Sequence, residues 1–104
     1  MTKQYEYHET KDAKKDKKMI LKSYPKNIQS KLQYIVTEIL DAPRDKNAVG
    51  NPEELRHKEI ETWSRELSKK DRIVYGIEPG ENYGMPEEPE IVVFYQYLGH
   101  YEDK

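Results

Sequence analysis

A chain of 104 residues has room for one hydrophobic core and not for two. With 37% charged against 35% hydrophobic residues, one Trp and one Phe, that core must draw on Ile, Val, Leu and nine Tyr. The absence of cysteine excludes a disulfide framework, a thiolate nucleophile and a cysteine zinc site, and fits a cytosolic setting.

The formal net charge of −2 conceals a gradient along the chain. Residues 1–46 carry eleven Lys/Arg against seven Asp/Glu, residues 47–75 six of each, and residues 76–104 one Lys against seven acids. The longest apolar run, Ile91 to Phe94, is far too short to span a bilayer, and no apolar signal core follows the lysine-rich N-terminal region. A single cytoplasmic domain over residues 1–104 is expected, with no membrane partner.

In chain order, Lys3 to His8 alternates, with Tyr5 and Tyr7 on one face, and predicts a short first strand. Glu9 to about Lys22 is lysine-dominated with apolar residues at Ala13, Met19, Ile20 and Leu21, which predicts a weakly amphipathic, largely solvated helix. Pro25 suits the first turn of the next helix, where Ile28, Leu32, Ile35, Val36, Ile39 and Leu40 recur at helical spacing. Burial of each of these aliphatic groups is worth on the order of 1.5–3 kcal/mol, so the stripe reads as core. Asp41 to Pro52 reads as a loop.

Three strands are predicted beyond it: Glu59 to Ser68, Arg72 to Ile77, and Ile91 to Leu98. The last is apolar on both faces and reads as the central strand. The turn Ser68-Lys69-Lys70-Asp71 makes the first pair an antiparallel hairpin. The second pair is separated by an acidic, Gly- and Pro-rich segment at 78–90, which reads as a solvated loop longer than most hairpin connections.

Common catalytic signatures are missing: there is no Gly-rich phosphate loop, no GxSxG and no HExxH. The three histidines, His8, His57 and His100, are far apart with no acidic ligand at metal spacing, so neither a metal site nor a cofactor is expected. What remains is a set of acidic, basic and cationic groups near strand ends: Glu53, Arg56, His57, Arg65, Arg72, His100 and Tyr101. Charged residues at strand ends are commonly just solvated, so spacing alone does not select among them.

The stretch Asn51-Pro52-Glu53-Glu54-Leu55-Arg56-His57, followed by Trp63-Ser64-Arg65 and Asp71-Arg72-Ile73-Val74-Tyr75, resembles the YoeB/Txe branch of the RelE-like toxins. In that family Pro-Glu-x-Leu-Lys-His leads into Trp-Ser-Arg-Arg, a short turn, and His-Arg-Leu-Val-Tyr. A closing His-Tyr matches His100-Tyr101. The resemblance covers about half of the chain. It implies an α+β, RelE-like fold with two N-terminal helices packed on a mainly antiparallel sheet of four or five strands. It also implies a type II toxin that cleaves mRNA in the ribosomal A site, is silenced by a YefM/Phd-like antitoxin, and forms a homodimer.

Carried over by position, Glu53 matches the family's general base, Arg72 its transition-state arginine and His100 its general acid. Arg56 falls where the family has a phosphate-binding lysine, and Arg65 falls on a family arginine, which makes both substrate-binding candidates. Tyr101 is placed to stack on or orient the scissile nucleotide. These residue types suit metal-independent RNA cleavage, which needs a base for the 2′-OH proton, an acid for the departing 5′-oxygen, and a cation for the charge between them. Other uses stay open at this point. Arg65 shares a strand face with Trp63 and has covering the indole as its alternative, Tyr101 has closing the sheet edge, and Trp63 reads as core. His57 reads as a structural or antitoxin-contact residue.

The sequence also departs from the family. Glu66 stands where a second arginine is usual, the acidic 78–90 segment replaces a tighter hairpin, and Glu102-Asp103-Lys104 follow Tyr101. With a pI near 5.9, these departures predict reduced affinity for RNA. Two rivals to the ribosome-dependent nuclease follow: a weakened module that mainly binds its antitoxin, and a ribonuclease that needs no ribosome.

Overall fold

The computed structural model describes residues 4–56 and 58–100. Along the chain come β1 (Tyr7–Glu9), α1 (Lys11–Ser23), α2 (Lys26–Asp41), β2 (Glu53–Leu55), β3 (Glu61–Glu66), β4 (Arg72–Glu78), a 3-10 turn (Gly80–Tyr83) and β5 (Ile91–Gln96). The strands form one sheet in the order β1-β5-β4-β3-β2, parallel between β1 and β5 and antiparallel elsewhere. Two helices on a mainly antiparallel five-stranded sheet is the α+β arrangement expected.

Helix α1 starts at Thr10, whose hydroxyl accepts from the Ala13 N–H at 3.2 Å, with Asp12 in the first turn complementing the helix dipole. It stops before Pro25, which forces Tyr24 into an extended conformation. Ala13 and Ile20 are fully buried, whereas Met19 and Leu21 are exposed, so the helix is as weakly amphipathic as its sequence implies. Pro25 caps α2 from just outside the helix instead of sitting in its first turn. The aliphatic stripe faces the sheet as expected: Leu32, Ile35, Ile39 and Leu40 are buried, with Ile28 and Val36 packed at the margin.

Period-two alternation sorts the sheet into two faces. Trp63, Leu67, Ile73, Tyr75, Ile77, Val92 and Phe94 join the core beneath the helices. The opposite face carries no helix, and on it the register sets Glu53 opposite Ser64, Glu66 opposite Arg72 and Thr62 opposite Gly76.

Several boundaries differ from expectation. The first strand is Tyr7–Glu9, later and shorter than Lys3 to His8, because it is defined by pairing with Val92, Val93 and Phe94; Lys3 lies outside the described residues. β5 is interior and buried on both faces near its start, but the middle position belongs to β4, since β1 adds outside β5. The Glu59 to Ser68 strand narrows to Glu61–Glu66, and β2 was not anticipated at all. Within 78–90, Glu78 is not solvated: it ends β4 at 5% exposure, and Gly80 after it is buried too.

Candidate active site

Glu53 is delivered by a sharp turn. Gly50 and Asn51 both have positive φ (90° and 49°), and the Gly50 carbonyl accepts from the Glu66 N–H at 2.7 Å. A Cβ on Gly50 would lie 2.8 Å from the Glu66 carbonyl oxygen, so glycine is what lets the chain close onto β3 here. β2 then runs along the sheet edge, with Glu53 exposed and in register with Ser64.

Ser64 links that edge to Arg72. Its hydroxyl oxygen accepts from Arg72 Nε at 3.2 Å and from Nη2 at 2.9 Å, while Arg72 Nη1 lies 3.5 Å from Glu66 Oε1. Arg72 opens β4, directly across from Glu66, and keeps about a quarter of its side chain exposed. The guanidinium is thus oriented by neutral and anionic neighbours and still reaches solvent.

His100 is brought to the same end of the sheet by the backbone before it. The Arg72 N–H donates to the Gly99 carbonyl at 2.9 Å, and the Gly99 N–H donates to Asp71 Oδ1 at 2.9 Å. Gln96 Nε2 donates to the carbonyls of Leu98 at 2.9 Å and Arg72 at 3.2 Å. Asp16 Oδ2 accepts from the N–H groups of Tyr97 and Leu98 at 3.0 and 3.1 Å, fixing the tail against α1. His100 itself is exposed. Glu53 and Arg72 thus both adjoin Ser64 on the helix-free face, and the backbone before His100 is bonded to Arg72 at the start of β4.

Arg56 is exposed just past β2, where it lines a depression of about 830 Å³ with Glu53, Glu54 and Lys46. Arg65 does not join them. It is fully buried on the helix side of the sheet, with Nη1 donating to Glu38 Oε1 of α2 at 2.9 Å and with Nε and Nη2 unpartnered. Alternation puts it on the same face as Trp63, which is 2% exposed and core, so the substrate-binding expectation for Arg65 gives way to a structural ion pair. Tyr101 and His57 lie outside the described residues.

Three positioning groups were not singled out from sequence: Ser64, Asp71 and Gln96. Ser64 stood inside the Trp63-Ser64-Arg65 match, which was its only signal. Asp71 and Gln96 act on residues 28 and 24 positions away, which no local pattern reveals.

Charge also fastens the loop that precedes β2. Arg44 binds Glu61 at 2.8 Å and Glu90 at 2.8 Å, and its hydrogen bonds hold the Glu61 carboxyl below the usual carboxylate range against the effect of burial. Tyr75, whose hydroxyl donates to the Pro43 carbonyl at 2.6 Å, is pushed up to about 12 by burial, with the nearby Arg65 guanidinium opposing the shift. Among the described residues, no three His, Asp or Glu gather as a metal-ligand cluster, and no helix is long and apolar enough to cross a membrane.

This architecture recurs in solved structures of bacterial toxins. A YoeB/ParE toxin from Agrobacterium tumefaciens superposes with a TM-score of 0.73 at 18% identity, over 92% of this chain and 99% of that one. The YoeB of the Staphylococcus aureus YoeB dimer gives 0.70 at 18% identity over 94% and 99%. A chain of the heterotetrameric YoeB-YefM toxin-antitoxin complex from the same organism gives 0.68 at 18% identity over 93% and 98%. No curated protein sequence matches the chain. The family model for the YoeB-like toxin of bacterial type II toxin-antitoxin systems matches residues 2–86, and the chain belongs to that family. Glu53 and Arg72 fall inside the matched segment and His100 beyond it.

Proposed function

We propose that this chain is the toxin of a type II toxin-antitoxin pair and an endoribonuclease that cleaves mRNA in the ribosomal A site. The observation that supports this reading is Ser64, in register with Glu53 and holding Arg72 through its hydroxyl, while the Arg72 N–H is bonded to Gly99, the residue before His100. Family membership supports the same reading.

In this scheme Glu53 takes the 2′-OH proton and the 2′-oxygen attacks the adjacent phosphorus. Arg72 stabilises the charge that grows on the phosphoryl oxygens, and the His100 imidazolium protonates the leaving 5′-oxygen. The products are a 2′,3′-cyclic phosphate, which can open to a 3′-phosphate, and a 5′-hydroxyl. Arg56, exposed beside Glu53, adds cationic charge for a flanking phosphate, and Tyr101 is assigned the scissile nucleotide's base. No metal or cofactor is needed in this scheme.

A YefM-like antitoxin and a second copy of the chain are the assigned protein partners, by analogy with the assemblies of the similar S. aureus toxins. The test is product analysis with purified protein on ribosome-bound and naked mRNA at physiological salt. Cyclic phosphate ends appearing with ribosomes and far more slowly without them are expected; equal rates on the two substrates would sink the ribosome assignment.

One observation favours a second reading. Glu66 occupies the side of Arg72 that a substrate phosphate would share, as expected of a module with weakened cleavage that mainly binds its antitoxin. Expression without any partner separates the two: growth arrest supports the nuclease, and unimpaired growth with folded protein supports the weakened module.

A further inference from the structure

Tyr95 sits where β5 departs from regular pairing. Tyr75 faces Phe94 and Val74 faces Gln96, so Tyr95 has no partner on β4 and is the extra residue of a β-bulge. Bulges re-aim side chains, and this one sends both Tyr95 and Gln96 to the helix-free face, where they border a depression of about 590 Å³ together with Lys58, Glu59, Ile60, Thr62 and Val74.

Tyr95 is held at its backbone, at its phenol and against one face of its ring. The Thr10 hydroxyl donates to the Tyr95 carbonyl at 3.0 Å, and the Tyr95 phenol donates to the Glu78 carboxylate, which also accepts from the Tyr83 hydroxyl at 3.0 Å. Below the ring is Gly76, where a Cβ would stand 2.5 Å from the phenol oxygen and 2.8 Å from Cε2. The glycine therefore lets the aromatic lie against the backbone of β4. Tyr83 in turn stacks on His8, with centroids 4.6 Å apart, tying the 78–90 segment down over β1. This construction fixes one aromatic side chain at the rim of an open depression, and none of it serves the proton transfers assigned to Glu53 and His100.

The Arg72 guanidinium reaches the Ser64 hydroxyl, in register with Val74 of the same depression, and the Tyr95 ring lies over Gly76, two residues beyond Val74 on the same strand and face, about 7 Å along it. That is the reach of one nucleotide from a phosphate held at Arg72. A flat apolar ring with a solvated edge suits such a place, walled by Val74 and Ile60 and bordered by the amide of Gln96 and the hydroxyl of Thr62. Stacking also orders little that is not already fixed, because Tyr95 is pinned before any ligand arrives.

We propose that Tyr95 is a nucleobase platform: an unpaired RNA base one nucleotide from the phosphate at Arg72 stacks on its open side. This rests on the ribonuclease reading above and adds a residue that reads the substrate by its base. Because every base has a π-face, the platform sets the register of the strand more than its sequence.

The test uses single-turnover cleavage, at subsaturating protein, of ribosome-bound mRNA that is either intact or abasic at the nucleotide next to the cleavage site. Wild type is expected to lose roughly 5- to 100-fold in kcat/KM on the abasic message. Tyr95→Leu should be slowed by a similar factor on the intact message and show no further loss on the abasic one, while Tyr95→Phe should keep most of the discrimination. In the wild-type complex, which requires no mutant to fold, 5-iodouridine at that nucleotide should photocrosslink to Tyr95. Equal abasic losses in wild type and Tyr95→Leu, or crosslinks only to residues outside the depression, would overturn the platform and leave the nuclease standing. Reduced antitoxin binding by Tyr95→Leu with unchanged abasic discrimination would assign the ring to the partner protein instead. Absence of any cleavage by wild type would remove both readings.

Discussion

At Asp71 a buried carboxylate meets donors from three parts of the chain: the Gly99 N–H at 2.9 Å, the Ser68 hydroxyl at 3.2 Å and the Tyr24 hydroxyl at 3.4 Å. Removing it strands those donors, so Asp71→Ala is expected to lower stability by about 1–3 kcal/mol in urea titration. It should also slow cleavage under conditions where the variant is fully folded, because the Gly99 peptide before His100 then keeps its bond from Arg72 but loses its anchor on Asp71. Normal cleavage by the folded variant would show that the tail does not depend on this anchor. Arg65 allows a cleaner separation of fold from chemistry. Its guanidinium is fully buried and paired with a partly exposed Glu38, and stranding that buried charge is expected to cost about 3 kcal/mol or more in Glu38→Ala. Arg65→Met removes the buried charge itself and should cost less. If folded Arg65→Met lost cleavage outright, the guanidinium would have to reach substrate after all.

At the scale of elements, the short strand β2 depends on the turn before it. Gly50→Ala combines an unfavourable positive φ with a 2.8 Å approach to the Glu66 carbonyl, so a loss of at least about 1 kcal/mol is expected, with reduced cleavage as Glu53 moves. Unchanged stability and activity would mean that the turn has slack. The same strand marks what could be read in advance. Helix α2 announced itself through six aliphatic residues at helical spacing, and the β3–β4 hairpin through alternation on either side of a short polar turn. β2 did not, because Glu-Glu-Leu has no periodicity and becomes a strand only by pairing with β3. β1 was displaced for a related reason: its partner β5 lies more than 80 residues away, and the register sets its limits. The bulge at Tyr95 is also a property of register, invisible in a run of apolar residues. Of the candidate site, Glu53, Arg72 and His100 were singled out by motif order alone, while alternation already placed Arg65 with Trp63; only the tertiary pairing with Glu38 explained how a charge could be buried there.

For the whole molecule, charge acts through position. Glu66 faces Arg72 across the hairpin, whereas Glu90 is occupied by Arg44 at 2.8 Å. With a Debye length of about 8 Å, Glu66 should dominate. Glu66→Arg is expected to tighten binding to ribosomes and steepen its salt dependence, more than joint neutralisation of Glu87, Glu88 and Glu90 does. A larger gain from the loop change in a salt series would place the charge effect elsewhere.

The many buried phenols give the fold an alkaline limit. Tyr75 is pushed up to about 12, and Tyr83, Tyr95 and Tyr97 are also raised, in each case chiefly by burial. Groups raised in the folded state contribute stability that is complete below their unfolded pKa of about 10 and is lost as pH climbs through the folded values. The urea midpoint should therefore be steady up to about pH 9 and fall beyond about pH 10, and Tyr75→Phe should soften that fall. A flat midpoint through about pH 12 would contradict the assignment.

The central claim is that Glu53, Arg72 and His100 act together on RNA, and single-turnover cleavage of ribosome-bound mRNA by folded variants tests it most directly. Glu53→Ala and His100→Gln are each expected to slow cleavage by roughly 10²- to 10⁴-fold without altering the fold; near-normal cleavage by folded His100→Gln would contradict the claim.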